Sequence, residues 1–175
     1  MARIPYFDMD QAPAEYKALI GSRPPLNLYR MLPHAGPALA EGFLRMGGAL
    51  LRGNEIDAKL REIAILRTGI LSRASYEVHQ HKRVARNAGL SEAKIAALEA
   101  GADTSALDET EKLVLEFVDK LFHDVKAPDE LFGRISAKFN ARQTAELVFT
   151  VGFYMLVSRF LENFEVDIEP PGTFG

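Results

Sequence analysis

The 175-residue sequence contains no cysteine and no tryptophan. Without cysteine the chain cannot form a disulfide, a thiolate metal site or a thiol redox centre of its own. Its 21 Lys and Arg residues against 24 Asp and Glu residues give a formal net charge of −3. That charge is too small to attract nucleic acid or an anionic membrane strongly, so we expect neither among the partners.

Long hydrophobic runs are also missing. The longest uncharged apolar stretch, residues 147–158, is shorter than the roughly 20 residues that cross a bilayer. The first ten residues carry two acidic side chains and no apolar core of a signal peptide. With 47% apolar residues the chain can bury a core of its own, and we expect a cytoplasmic protein.

The hydrophobic spacing predicts helices, because apolar residues recur at helical intervals and strict alternation is absent. We expect an all-α fold with an N-terminal arm (1–36), a helical domain (37–164) and a C-terminal tail (165–175). The apolar middle of the last helix, 147–156, is expected to be the central buried segment. The predicted helices cover residues 14–20, 37–51, 58–72, 74–88, 91–100, 108–125, 128–139 and 140–163.

Three ionisable residues fall on apolar helix faces, namely Glu62, Glu77 and His81. At about 100° per residue, His81 shares a face with Glu77, whereas His79 points away from it. A short turn separates the two helices that carry these residues, so an antiparallel pairing would bring Glu62 to Glu77 and His81. Two carboxylates and an imidazole in a dry cleft would shift each other's pKa values and could transfer protons.

A structural interpretation of the same residues stays open. Glu77 and His81 can be an i,i+4 pair inside a packed bundle, with Glu62 bonded to Arg61 or Arg67. No metal site is expected, because the other histidine of the His-x-His pair diverges from His81 by roughly 160° on a helix.

The remaining candidates are weaker. Glu146 lies one turn from Arg142, which favours an intrahelical ion pair. His34 follows a proline in a loop and His123 lies on the polar face of its helix, so both are expected to be structural or solvated.

Several segments together resemble the carboxymuconolactone decarboxylase family, within the AhpD-like superfamily. They are Leu60-Arg61-Glu62 with Ile65-Leu66-Arg67, Tyr76-Glu77-Val78 leading to His81, and Ala88-Gly89-Leu90-Ser91. Weaker likeness at 27–30, 37–39 and 151–166 extends the match over most of the chain. The resemblance implies an AhpD-like helical bundle of about six to eight helices that forms a homo-oligomer, a trimer or a hexamer.

The family has two chemical branches. In the peroxidase branch a Cys-x-x-Cys pair works with a histidine and a glutamate, but here Ala74 and Glu77 occupy the two cysteine positions. That branch's thiol chemistry is therefore not possible. In the decarboxylase branch a lactone acid from aromatic-ring catabolism loses CO₂ without a cofactor, and the Tyr-Glu-x-x-x-His form of this sequence fits that branch better.

The resemblance implies roles for the three candidates, with a small molecule as substrate. His81 would donate a proton, Glu77 would orient the imidazole and Glu62 would be the second acid/base group. Arg45 or Arg67 would bind the substrate carboxylate. Two alternatives stay open: a non-catalytic helical oligomer that binds or scaffolds, and a cysteine-free reductase, for which the sequence supplies no redox group.

Overall fold

All regular structure in the described part of the chain is helical. The computed structural model describes residues 1–21, 23–99 and 101–173, and the predicted all-α fold class is confirmed. Two short 3-10 turns, Met9–Gln11 and Leu32–Ala35, accompany nine α-helices in these residues. The helices are α1 (Ala14–Ile20), α2 (Asn27–Met31), α3 (Pro37–Arg52), α4 (Ala58–Leu71), α5 (Ser75–Asn87), α6 (Glu92–Ala96), α7 (Glu109–Asp124), α8 (Asp129–Lys138) and α9 (Ala141–Phe164).

The chain forms two compact units. The first contains residues 1–53 together with the chain from Phe160 onward, and the second contains Asn54–Arg159. In the first unit, the Asp167 carboxylate accepts hydrogen bonds from the Ala2 amide at 3.1 Å and the Tyr6 hydroxyl at 3.0 Å. These hydrogen bonds connect the first residues of the chain with the segment that follows α9. The predicted division at residues 36 and 164 stays a prediction.

The helices of the second unit begin and end where local chemistry favours it. Asp57 starts α4 by accepting from the Lys59 amide at 2.8 Å. Asp108 and Glu111 form the predicted capping box at the start of α7. Gly89 follows α5 with a φ of +95°, a conformation that only glycine adopts without strain, and so ends that helix.

Helix α4 is the buried centre of the second unit. All eight residues from Glu62 to Gly69 are buried, and α4 packs against both α5 and α7. Its apolar side chains contribute to one core with those of the later helices. Fully buried members of this core include Ile63, Leu66, Val114, Phe117, Ile135 and Leu147.

The expectation that the middle of α9 is the central buried segment is wrong. Val148, Phe149 and Leu156 are 43%, 59% and 53% exposed. Only one face of α9 packs into the core, and the opposite face carries apolar side chains that nothing in the described chain covers. By length and composition α9 could also cross a membrane, but half of its most apolar stretch is buried, as in core helices.

Two other helices differ from the prediction. The predicted helix 91–100 ends at Ala96, and its expected last residue, Ala100, lies outside the described residues. Helix α2 was not predicted, because its five residues lie between prolines and begin without a side-chain cap.

The close approach of α4 and α5 generates a stability prediction. An added Cβ at Gly69 would lie 3.1 Å from Val78 Cγ2 and 3.6 Å from Glu77 Cγ. We expect Gly69→Ala to lower the free energy of unfolding by about 1 kcal/mol, because overpacking outweighs the gain in helix propensity.

The matched control is Gly133→Ala in α8, where an added Cβ meets nothing within 4 Å. That variant should raise the free energy of unfolding by about 0.5–1 kcal/mol. Urea denaturation of both variants measures the difference, and equal stabilisation by both would show that Gly69 sets no limit on the helix pair.

Candidate functional site

The three ionisable candidates lie on two adjacent helices of the second unit. Glu62 is on α4, one turn after the helix starts, while Glu77 and His81 are one turn apart on α5. Gly69 lets α5 approach α4 closely, since its missing side chain leaves room for Val78 and the stem of Glu77. The helix pair thus brings together the three residues that the sequence pattern singled out.

The imidazole of His81 lies between the two carboxylates. Its Nδ1 is 2.7 Å from Glu62 Oε2, and its Nε2 is 3.0 Å from Glu77 Oε1. With both ring nitrogens protonated, each N–H donates to one carboxylate. The result is a continuous hydrogen-bonded chain, Glu62–His81–Glu77, which we call the acid–imidazole chain.

Burial differs along this chain of groups. The Glu62 side chain has no exposed surface, whereas the side chains of Glu77 and His81 keep 5% and 10% exposure. The Glu62 end is therefore sealed, and the small exposed area belongs to the imidazole and to Glu77. His79, on the other side of α5, is exposed, as its helical position predicts.

The two carboxylates change the titration of His81. Burial by itself lowers the pKa of an imidazole, because it disfavours the charged form. The negative charge of Glu77 and the hydrogen bonds to Glu62 and Glu77 outweigh it, and together they raise the pKa of His81 to about 10. At neutral pH the residue is therefore an imidazolium held between two acids.

An aromatic ring from α9 completes the surroundings of His81. The Tyr154 ring meets the imidazole edge to face, with centroids 5.0 Å apart and an interplanar angle of 85°. Tyr154 is itself buried and stacks in the same manner against Phe153. Sequence reasoning assigned no site role to Tyr154, because the contact joins positions more than 70 residues apart.

The two arginines expected to bind a substrate carboxylate have other partners. Arg67 donates from Nε and a terminal nitrogen to both oxygens of Asp119, at 2.6 and 2.8 Å, and from its other terminal nitrogen to the Leu98 carbonyl. Arg45 pairs with Glu41 one turn earlier on α3, at 2.7 Å. The arginine that does contact the acid–imidazole chain is Arg61, whose Nε lies 3.4 Å from Glu62 Oε1.

Glu146 has a structural role. It pairs with Arg142 at 3.0 Å as predicted, and it also accepts from the amides of Glu55 and Ile56 at the start of the second unit. Burial acts to raise the pKa of Glu146, but these backbone and guanidinium donors outweigh burial and lower it. The carboxylate thus holds the segment before α4 against α9.

The geometry of the acid–imidazole chain does not suit a metal ion. Its two carboxylates bind opposite edges of the imidazole ring, so the three groups do not converge on one point. Within the described ranges, no group of three or more His, Asp or Glu side chains is arranged to hold a metal.

One family model matches part of the chain. The model of the carboxymuconolactone decarboxylase family matches residues 37–120, which include all three candidates. This segment belongs to that family. The match also includes Arg61 and the whole of α4 and α5. No curated protein matches the sequence.

Solved structures confirm an AhpD-like fold for the chain. The debrominase Bmp8 has a TM-score of 0.78 at 14% identity, covering 97% of this chain and 93% of its own. A candidate antioxidant defence protein AhpD from Agrobacterium tumefaciens has a TM-score of 0.70 at 20% identity, covering 79% and 95%. A peroxidase-related protein from Silicibacter has a TM-score of 0.69 at 16% identity, covering 78% and 73%.

The raised pKa of His81 generates a prediction about stability and pH. The folded-state value lies above the ordinary value of 6.5, so the imidazolium stabilises the fold fully below pH 6.5. This contribution is lost as the pH rises from 6.5 through about 10. We therefore expect the free energy of unfolding to fall over that range, and the fall to be smaller in His81→Gln.

The matched control is His79→Gln, which changes an exposed side chain on the opposite face of α5. It should keep the wild-type slope in denaturant titrations across the same pH range. A His81→Gln slope equal to that of the wild type would contradict the shifted titration.

Proposed function

We propose that the protein is a cofactor-free acid/base enzyme that decarboxylates a small lactone acid derived from an aromatic ring. The observation that carries this proposal is the acid–imidazole chain Glu62–His81–Glu77, with contacts of 2.7 and 3.0 Å. The match of residues 37–120 to the carboxymuconolactone decarboxylase family model supports the reaction class. Burying two acids beside one imidazole carries a desolvation cost that packing alone does not require.

The proposal gives the two acids different roles, and their different burial supports this. Glu62 has no exposed surface, so in this proposal it orients the imidazole by holding Nδ1 and balances its charge. Glu77 lies at the end that keeps some exposure, so in this proposal it relays a proton from solvent to Nε2 of His81. These roles reverse those that the resemblance implied for the two glutamates.

The proposed reaction needs only proton transfer and charge stabilisation. The bond between the ring carbon and the substrate carboxylate breaks, CO₂ leaves, and the electron pair enters the conjugated lactone carbonyl to form a dienolate. The His81 imidazolium stabilises the developing oxyanion and delivers the Nε2 proton to carbon. A proton from bulk solvent then reaches His81 through Glu77, which restores the imidazolium and closes the cycle.

Peroxidase-like names among the structural neighbours do not extend to this chain. Thiol peroxidases need cysteine, and the sequence has none. The second candidate function, a non-catalytic helical oligomer, agrees with the exposed apolar face of α9. It predicts an absence of turnover with any lactone acid, so one assay separates the two functions.

The role of His81 is tested by turnover of a panel of lactone acids that includes carboxymuconolactone. We expect His81→Gln to lower kcat at least about 100-fold, the range typical of a lost general acid. Wild-type kcat should also fall as the pH approaches the His81 pKa of about 10, because the imidazolium loses its proton.

The control is again His79→Gln, which should keep wild-type turnover, and thermal melts of each variant check the fold. Glu77→Gln should lower kcat while leaving substrate affinity nearly intact. Wild-type turnover in His81→Gln would overturn the proposed role of the histidine. Absence of turnover in the wild type would favour the non-catalytic alternative.

The family resemblance implies a homo-oligomer, and we propose that this chain binds further copies of itself. In the second unit, exposed Phe132 and Val148 border two apolar grooves of about 390 and 630 Å³, and exposed Phe149 lines the larger one. A surface with both protruding rings and apolar grooves can be complementary to itself.

Light scattering tests this proposal directly. We expect the wild type to have a trimer or hexamer mass, and Phe149→Glu to shift the mass toward the monomer. A matched control is Arg134→Glu, a change at an exposed ion pair on α8. A wild-type monomer would overturn the proposal.

A further inference from the structure

The two ends of the acid–imidazole chain differ in access. Glu62 has no exposed surface and accepts from Nδ1 of His81 at 2.7 Å, so this end is closed to a substrate. The ring of Tyr154 on α9 contacts the imidazole edge to face and covers a further side of it. The exposed area that remains belongs to His81 and Glu77, at 10% and 5%. A substrate therefore meets the chain at its Nε2 end.

This asymmetry gives His81 one fixed proton and one mobile proton. The carboxylate that holds the Nδ1 proton is sealed from solvent, which keeps this proton on the ring when the imidazolium loses the other one. Nε2 lies 3.0 Å from Glu77 Oε1, so the mobile proton is shared with a carboxylate that has access to solvent. The neutral imidazole that remains after proton release is thus the Nδ1–H tautomer.

At neutral pH the accessible end holds an acid and a base side by side. The acid is the imidazolium of His81, which the negative charge of Glu77 stabilises despite its burial. The base is the Glu77 carboxylate. One group can remove a proton from carbon while its neighbour donates a proton to another carbon. The proton taken by the carboxylate can then pass to Nε2 over 3.0 Å, which completes a cycle without solvent.

A pair of this kind suits a reaction in which one proton leaves a molecule and another is added. The shift of the double bond in a butenolide, an unsaturated five-membered lactone, is such a reaction. Both double-bond isomers form the same dienolate when they lose a proton. The proposed decarboxylation forms a dienolate of this kind by losing CO₂. An imidazolium that stabilises the oxygen of one dienolate can stabilise that of the other.

We propose that the protein also isomerises butenolides that have no carboxylate to lose, moving the double bond from the β,γ to the α,β position. The Glu77 carboxylate removes a proton from the α carbon, and the C–H electron pair moves into the lactone carbonyl to form the dienolate. His81 then delivers its Nε2 proton to the γ carbon, and the proton on Glu77 passes to Nε2. Only protons change place, so the reaction needs no oxidant or reductant. This inference rests on the proton transfers of the proposed function but not on its loss of CO₂.

A single accessible end also predicts the stereochemistry. Protonation of the γ carbon creates a stereocentre when that carbon carries a methyl group. Because Glu62 seals Nδ1, the proton comes from Nε2 and reaches the bound ring from one side. The product should therefore be mainly one enantiomer, whereas base catalysis in buffer gives the racemate.

The experiment follows α-angelica lactone, a neutral β,γ-butenolide with a methyl group on the γ carbon, by proton NMR and by chiral chromatography at early conversion. We expect the wild type to form the α,β isomer at least about 100-fold faster than buffer, as for a positioned acid and base, with one enantiomer in excess. Both readings use the wild type, so they do not depend on the folding of a variant. A racemic product at the buffer rate would overturn the proposal.

Two variants each remove one member of the pair. Glu77→Gln and His81→Gln should each lower the isomerisation rate at least about 100-fold and abolish the enantiomeric excess, because one proton transfer is lost. His79→Gln, at an exposed position on the same helix, is the matched control and should keep both the rate and the excess. Thermal melts check that each variant is folded. Wild-type isomerisation in folded Glu77→Gln would overturn the role of this carboxylate as the base.

The outcomes of this experiment are separable from those of the lactone acid assay. Turnover of lactone acids without isomerisation would overturn this inference alone. Isomerisation without turnover of any lactone acid would support it and overturn the proposed decarboxylation. Absence of both reactions would overturn both proposals.

Discussion

A carboxylate with no exposed surface must find all of its partners inside the protein, and Glu62 is such a carboxylate. Its two oxygens face Arg61 and His81, so two cationic groups share its charge. Glu62 begins the stretch of α4 in which every residue is buried, and α5 must approach closely enough to bring His81 Nδ1 within 2.7 Å of its carboxylate. The absence of a side chain at Gly69 permits this approach.

Glu77 occupies a position at which the peroxidase branch of the family has a cysteine. Glu77 stands where the resemblance places the second cysteine of a thiol peroxidase, and here its carboxylate contacts His81 Nε2 at 3.0 Å. An acid in that place cannot carry out redox chemistry, but it can exchange a proton with the imidazole. The same helical scaffold thus suits proton transfer in the proposed function, and Ala74, at the other cysteine position, is fully buried.

The two arginines of α4 show how one residue type is used in two ways. Arg67 contacts Asp119 on α7 and the Leu98 carbonyl between α6 and α7, so it joins three segments of the second unit. Arg61 lies nearly two turns earlier, and among the described residues its partner is Glu62. Arg67 therefore contributes to the fold through α7, whereas Arg61 shares the charge of the buried Glu62.

The sequence by itself determined the longer helices, the caps of α4 and α7 and the convergence of Glu62, Glu77 and His81. These features depend on local periodicity and on one short turn, both of which can be seen within about 25 residues. Tertiary structure alone decided the exposure of one α9 face, the contact of Tyr154 with His81 and the distinction between Arg61 and Arg67. The physical reason is that each of these depends on which distant helix supplies an acceptor or covers a surface, and helical spacing carries no information about that.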